Sequence, residues 1–223
     1  MLLGSEAMER LARAHVAVFG VGGVGGYVVE VLARSGVGHL TLIDNDTVSL
    51  SNINRQLIAT LDTVGRPKVD VCEARIHSIN SACEVVKRPM FYLPDNADEI
   101  DLRQFDYVVD CIDTVAAKIE LVRRCHTLGV PLISSMGAAN KLDATAFRVA
   151  DLSKTNMDPL AKVLRKKLRK LGIDHLKCVY SEEEPRAVFG EENGKRFPAS
   201  NAWVPPAAGL IIGSEVVKDL IKQ

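Results

Sequence analysis

"HVAVFGVGGVGGYVVEVLARSGVGHLTLIDND" (residues 15–46) decides how the rest of the chain is read. His15–Phe19 is a short apolar run ending in glycine and reads as a buried strand. Gly20, Gly22 and Gly25 then form a GxGxxG pattern, with Gly23 inside it. Gly23–Arg34 reads as a helix, "SGVG" stops it, and His39–Ile43 is a second strand. Glycines there let the backbone turn tightly and approach phosphate oxygens. The helix N-terminus adds free N–H groups and a partial positive charge. Asp44 ends the second strand 24 residues after Gly20, where a carboxylate can bond ribose hydroxyls. The bland alternative is a glycine turn that only brings a helix close to a strand. The open question is whether a bound dinucleotide moves a hydride or a nucleotide is spent.

The next stretch favours the second. "DNDTVSLSNINRQ" (44–56) adds Asp46, Asn52, Arg55 and Gln56, and "VGRPKVDV" (64–71) adds Arg66 and Lys68 at a helix start. A dinucleotide already rests its diphosphate on the glycine loop. A triphosphate reaches further and carries more charge. Arginine grips phosphate oxygens in bidentate fashion and lysine adds a point charge, so Arg55 and Lys68 argue for ATP. For Arg66 and Lys68 the competing reading is a solvated helix start. "DCIDTVAAK" (110–118) places Asp113 at the carboxyl edge of a strand, where open α/β sheets bind ligands. A carboxylate there can hold Mg²⁺ against phosphates; it can also cap the following helix. Lys118, one turn into that helix, could reach the same site, with an exposed helix lysine as the commoner reading.

Further along, Lys68–Asn80 is helical in period, Cys83–Lys87 a third strand, 107–113 a strong strand, Val115–Leu128 a helix and Pro131–Ser134 a strand. A short helix at 6–14 precedes the first strand. Beyond residue 140, Phe147–Asp151 and Val179–Ser181 read as strands and Asp158–Leu171 and Pro205–Ile221 as helices. Residues 182–200 read as a polar loop, mobile or ordered by ligand. Strands alternating with helices predict an α/β fold, a doubly wound, Rossmann-like, mostly parallel sheet with a C-terminal extension packed on it. Residues 1–223 are expected to be one ATP-binding domain, with 1–140 the nucleotide core and 141–223 the extension.

Bulk composition narrows the setting. The 28 Lys and Arg equal the 28 Asp and Glu, so net charge alone suggests no nucleic-acid or membrane partner. Five cysteines with no CxxC pair argue against disulfides and a cysteine zinc site, hence for a reducing, cytoplasmic location. The N-terminus lacks a signal-peptide shape, and "PPAAGLIIGSEVVKDLI" (205–221) is broken by Glu215 and Lys218, so no membrane span is expected.

Charge does cluster locally. Between Lys154 and Lys177 stand eight basic residues, including Lys162, Arg165, Lys166, Lys167, Arg169 and Lys170, against only Asp158 and Asp174. Leu160, Leu164, Leu168 and Leu171 are expected to anchor one helix face, leaving the other basic and suited to phosphodiester contact. Cys178 offers either a reactive thiol or a small buried hydrophobe, the latter being the commoner role.

"GVGGVGGYVVEVLARSGVG", "LTLIDNDTVSLSNINRQ", "VGRPK" and "VVDCIDT" together resemble the E1-like adenylating enzymes, which include ubiquitin activators, thiamine and molybdopterin adenylyltransferases and tRNA threonylcarbamoyladenosine dehydratases. "ADLSKTNMDPLAKVLRKKLRKLGI" (150–173) and "CVYSEEEPR" (178–186) are similar to the last branch. The resemblance implies ATP-dependent cyclisation of threonylcarbamoyladenosine in tRNA through an activated carboxylate, an acyl adenylate or an acyl phosphate. It implies a homodimer, and leaves room for sulfur-relay proteins as partners. It assigns Gly22 and Gly25 to the nucleotide loop, Asp44 to the ribose, Asn52, Arg55, Gln56 and Lys68 to the phosphates, and Asp113 to the metal and α-phosphate. It also implies an arginine ahead of "LLGSEAMERL", lent to the partner's site. The sequence opens at Met1 without one, so that role is lost by truncation, unfilled or supplied elsewhere. The alternatives are adenylation of a ubiquitin-like sulfur carrier, for which the CxxC pairs are missing, an NAD-dependent oxidoreductase, and a nucleotide-sensing or tRNA-binding module without turnover.

Overall fold

A computed structural model describes residues 2–187, 191–192, 195–196 and 198–222. The chain runs α1 (Ser5–Arg13), β1 (His15–Phe19), α2 (Gly25–Arg34), β2 (His39–Ile43), α3 (Lys68–His77), β3 (Glu84–Arg88), β4 (Tyr107–Asp110), α4 (Val115–Leu128), β5 (Leu132–Ser135), β6 (Phe147–Asp151), α5 (Pro159–Arg169), β7 (Lys177–Ser181), β8 (Glu191–Glu192), β9 (Lys195–Arg196) and α6 (Val204–Leu220). Seven strands form one sheet in the order β3-β2-β1-β4-β5-β7-β6. All neighbours are parallel except β6, which runs antiparallel to β7.

β1 shows why the sheet is covered on both faces. Successive side chains point to opposite sides of a strand. Val16 and Val18 join the core that α2, α3 and α6 cover. Ala17 and Phe19 join a second core with Leu121 of α4. Such a strand reads as continuous apolar sequence, and all but its first residue are buried. A third core holds α5 to the far end of the sheet through Ala161, Leu164 and Leu168, beside Cys178 and Tyr180 of β7.

The winding reverses between β1 and β4. The chain builds outward on one side through β2 and β3, then returns to the middle with β4 and continues through β5 and β7. Open α/β sheets bind ligands in the crevice at such a reversal, outside the carboxyl ends of the strands. Gly20 follows β1 and Cys111 follows β4, so both loops open onto it.

Several expected boundaries move. The glycine-loop helix begins at Gly25, not Gly23. The strand read at 107–113 ends at Asp110, which frees Asp113 into a loop. Of the polar stretch 182–200, the backbone at 191–192 pairs antiparallel with 195–196. Residues 188–190, 193–194 and 197 lie outside the described residues. No helix among the described residues is long and apolar enough to cross a membrane.

Candidate active site at the β1–β4 switch

A cavity of about 450 Å³ lies at the reversal, lined on the glycine-loop side by Gly20, Gly22, Gly23 and Val24. The loop is held tightly. Gly20 has φ +86°, and a Cβ there would stand 2.8 Å from the Cys111 carbonyl oxygen. A Cβ on Gly25 would stand 1.8 Å from the Gly20 oxygen. Gly25 does not line the cavity; it lets α2 press against the loop that does. α2 has no side-chain cap, and its Gly26 and Tyr27 N–H groups already bond the Gly22 and Val24 carbonyls; among the described residues the N–H groups of Gly22, Gly23, Val24 and Gly25 make no such bond and remain for an anion.

Asp44 and Asp46 follow β2 into the cavity. Asp44 accepts the Val21 N–H at 2.8 Å and the Asp46 N–H at 2.9 Å, stitching the second strand to the glycine loop. Each carboxylate oxygen keeps a further lone pair for a ligand. Lys68 is buried at the start of α3, its Nζ 2.7 Å from Asp46 Oδ2. It is therefore no solvated helix lysine. Arg66 is exposed and does not line the cavity.

Asn52, Arg55 and Gln56 share one wall. The buried Asn52 spends its Oδ1 on the Ser49 N–H. Arg55 lays its stem against Gly23 and donates to the Ser51 carbonyl and Asn54 Oδ1, each at 2.9 Å. Gln56 is buried with its Oε1 unpartnered. A buried orphan acceptor is costly unless a ligand or water satisfies it, which marks this wall as built for an occupant.

Asp113 lies across the cavity, exposed, its one hydrogen bond among the described residues coming from the adjacent Thr114 hydroxyl. It does not cap α4, whose N-cap is Thr114 with no side-chain bond. The charged lining amounts to three carboxylates (Asp44, Asp46, Asp113) against two cations (Arg55, Lys68), a net charge of −1.

Other lining residues escaped the sequence reading. Met90, Phe91 and Tyr92, just past β3, line the cavity, as do Ala138, Ala139, Ser200 and Pro205. The apolar run "MFY" immediately after a strand is the signal that marks the first group, because ligands lie at strand carboxyl ends.

Lys118 corrects its expectation fully. It is 1% exposed, and its Nζ bonds Asp110 Oδ2 at 2.9 Å and the Ser135 carbonyl at 2.8 Å. Burying the ammonium is costly, and acceptors on two strands partly offset that cost. Cys178 is wholly buried in β7, and burial pushes its thiol up to about 12, far from a reactive thiolate.

On α5, Lys162, Lys166, Lys167, Arg169 and Lys170 are exposed and make a basic face. Arg165 does not belong to it. Its guanidinium turns back to the Leu152 and Thr155 carbonyls. Leu171 is exposed, so Leu164 and Leu168 do the anchoring with Ala161 and the partly buried Leu160. Asp158 is a buried N-cap, bonded to the Ala161 N–H, and does not offset the basic face. Lys177 pairs with Glu215 and Asp219 on α6.

The family model for the ThiF family matches residues 1–221. A tRNA threonylcarbamoyladenosine dehydratase of Bacillus subtilis is 48% identical over 236 residues, spanning 100% of this chain and 93% of the relative. Among solved structures, Escherichia coli tRNA N6-threonylcarbamoyladenosine dehydratase, TcdA, in complex with AMP aligns with TM-score 0.90 at 35% identity, covering 99% of this chain and 91% of the other. The same enzyme in complex with ATP aligns with TM-score 0.88 over the same shares.

Proposed function

The chain belongs to the ThiF family of E1-like proteins, and from that premise we propose that it catalyses the ATP-dependent dehydration of threonylcarbamoyladenosine in tRNA. The observation that carries this reading is the convergence of the glycine loop, Arg55 and Lys68 on one cavity at the sheet's switch point. The same chain aligns along its whole length with proteins of that activity.

The chemistry asks little of a protein nucleophile. A carboxylate is a poor electrophile because its leaving group would be oxide. Attack by the substrate carboxylate on the α-phosphorus of ATP expels pyrophosphate and leaves AMP as the leaving group. A nitrogen or oxygen of the same carbamoyl arm then attacks the acyl carbon, AMP departs, and the ring closes with net loss of one water. The second step is intramolecular and depends on positioning. Lys68 and Arg55 neutralise charge gathering on the phosphates, and the N–H groups of Gly22, Gly23, Val24 and Gly25 at the entry to α2 add to it. Buried Gln56 Oε1 and the second lone pairs of Asp44 are free to orient the nucleotide.

The donor set also fits Mg²⁺. The net charge of −1 on the described lining cannot offset a triphosphate, and Asp113, whose bond among the described residues comes from the neighbouring Thr114 hydroxyl, stands at the cavity. Mg²⁺ is typically held by one or two carboxylates together with substrate phosphates, and would supply the missing positive charge.

The exposed basic face of α5 is the tRNA contact in this reading, through phosphates and not bases. A homodimer is supported by two half-exposed apolar side chains, Trp203 at the N-cap of α6 and Leu210 seven residues on, with exposed Leu142 accepting the Trp203 Nε1–H. Residues 1–140 serve as the nucleotide core and 141–223 as the extension, whose β6 and β7 continue the same sheet. A cytoplasmic location goes with a tRNA substrate.

The test is ATP turnover by the purified chain with tRNA bearing threonylcarbamoyladenosine, unmodified tRNA, or a ubiquitin-like sulfur carrier. Turnover is expected only with the modified tRNA, giving AMP and pyrophosphate. Turnover that follows the carrier and ignores the tRNA would overturn the proposal.

A further inference from the structure

The last paired residues of β4 and β5 are Asp110 and Ser134. Beyond them each chain segment continues into the cavity lining: Cys111, Ile112 and Asp113 after β4, Ala138 and Ala139 after β5. Lys118 reaches these strand ends from α4. Its Nζ bonds Asp110 Oδ2 at 2.9 Å, Ser134 Oγ at 3.3 Å and the Ser135 carbonyl at 2.8 Å. Ser134 Oγ donates to Asp110 Oδ2 at 2.6 Å, and Asp110 Oδ1 accepts the Ile112 N–H at 3.1 Å. Asp110 and Ser134 are fully buried and Lys118 is 1% exposed, so the cluster touches no solvent and does not line the cavity.

We propose that Lys118 is a positioning residue for the dehydration reaction, fixing the Asp113 wall against the Ala138–Ala139 wall at the point where the two strands end. The inference rests on the activity proposed above. A buried ion pair is often no better for stability than apolar side chains of similar volume, so stability alone does not account for three bonds from one ammonium to two strand ends. Most of the nucleotide's grip comes from the glycine loop, Arg55 and Lys68, with Asp113 contributing only through the metal. Loosening the cluster therefore acts on the alignment of the reacting groups. A misplacement of about 1 Å can slow a reaction by about 10²-fold.

Three variants separate position from stability. Lys118→Met alone leaves a buried carboxylate without its cation and is expected to lower the thermal midpoint. The double variant Asp110→Asn/Lys118→Met removes both charges and is expected to recover most of that midpoint. Ser134→Ala removes one link and keeps the pair, so it serves if either of the others fails to fold. In the double variant kcat for tRNA dehydration should fall about 10- to 100-fold while KM for ATP stays within about 3-fold. Ser134→Ala should show the same split on a smaller scale. Amide hydrogen exchange at residues 111–113 and 136–139 should quicken in both variants, a readout that needs no turnover. Unchanged exchange at both walls, or a double variant with wild-type kcat, would overturn the assignment. Absence of dehydration by the wild-type chain would count against the parent activity, while the exchange data would still decide the role of Lys118.

Discussion

Lys68 Nζ stands 2.7 Å from Asp46 Oδ2, the lysine side chain 6% exposed and the aspartate 59% exposed. The cation is the buried partner. Removing it leaves a carboxylate that water can solvate, so the cost in stability is small compared with breaking a pair buried on both sides. Lys68→Ala should therefore fold with a nearly unchanged thermal midpoint and lose about 10²–10³-fold in ATP-dependent turnover, as expected for one preorganised group at a charged transition state. Circular dichroism melting alongside a steady-state assay checks both halves. Full turnover would show that Lys68 does not touch the phosphates.

Two adjacent glycines should respond in opposite ways. A Cβ on Gly25 would sit 1.8 Å from the Gly20 carbonyl oxygen, whereas one on Gly26 meets the Val21 oxygen at an ordinary 3.6 Å. Gly25→Ala must displace the loop and is expected to cost at least about 1–3 kcal/mol and most of the ATP affinity. Gly26→Ala sits inside α2 and should be neutral or stabilising by up to about 1 kcal/mol. Thermal melts and ATP titration of the two variants provide the comparison.

Buried thiols make stability fall in alkali. Burial pushes Cys72, Cys125 and Cys178 up to about 12 and Cys83 up to about 11, from the ordinary thiol value of 9.0. Because the folded values are raised, the contribution is fully present below the unfolded value and is lost as pH rises from there toward 12. The urea midpoint should begin to drop as pH rises past 9.0 and keep falling toward about 11, and iodoacetamide should label the native chain far more slowly than the unfolded one. Cys178→Ala should keep its turnover, since a thiol so held is no nucleophile.

The basic face of α5 has a salt signature. Charge reversal at Lys162, Lys166 and Lys170, all exposed, should weaken tRNA binding without changing KM for ATP. Each lysine–phosphate pairing removed in this way should make the dependence of log affinity on log salt shallower by about 0.7–0.9. Arg165, tied to the Leu152 and Thr155 carbonyls, should instead lower the melting temperature when replaced. Filter binding across a salt series would show whether the slope moves.

Local signals made much of this legible. β1, β2, α4 and β6 lie where apolar period and flanking glycines put them, because those signals act within a few residues. Gly20, Gly22, Gly23, Asp44, Asp46 and Asp113 line one cavity because they follow strand ends on the same edge of the sheet, and the connection from β2 to α3 brings Asn52, Arg55, Gln56 and Lys68 to it. What stayed hidden depended on partners far along the chain. Lys118 looks like any helix lysine until β5 brings Ser134 and Ser135 to it. Arg165 reads as part of a basic stripe until the turn at residues 152–155 offers its carbonyls. Gly25 has its purpose in the Gly20 oxygen one loop away, a distance that spacing alone does not express.

The central claim is tested most directly by mass spectrometry of nucleosides from tRNA incubated with this chain and ATP. The account predicts that threonylcarbamoyladenosine is replaced by a species lighter by one water, only when ATP is present. An unchanged nucleoside after ATP has been consumed would contradict it.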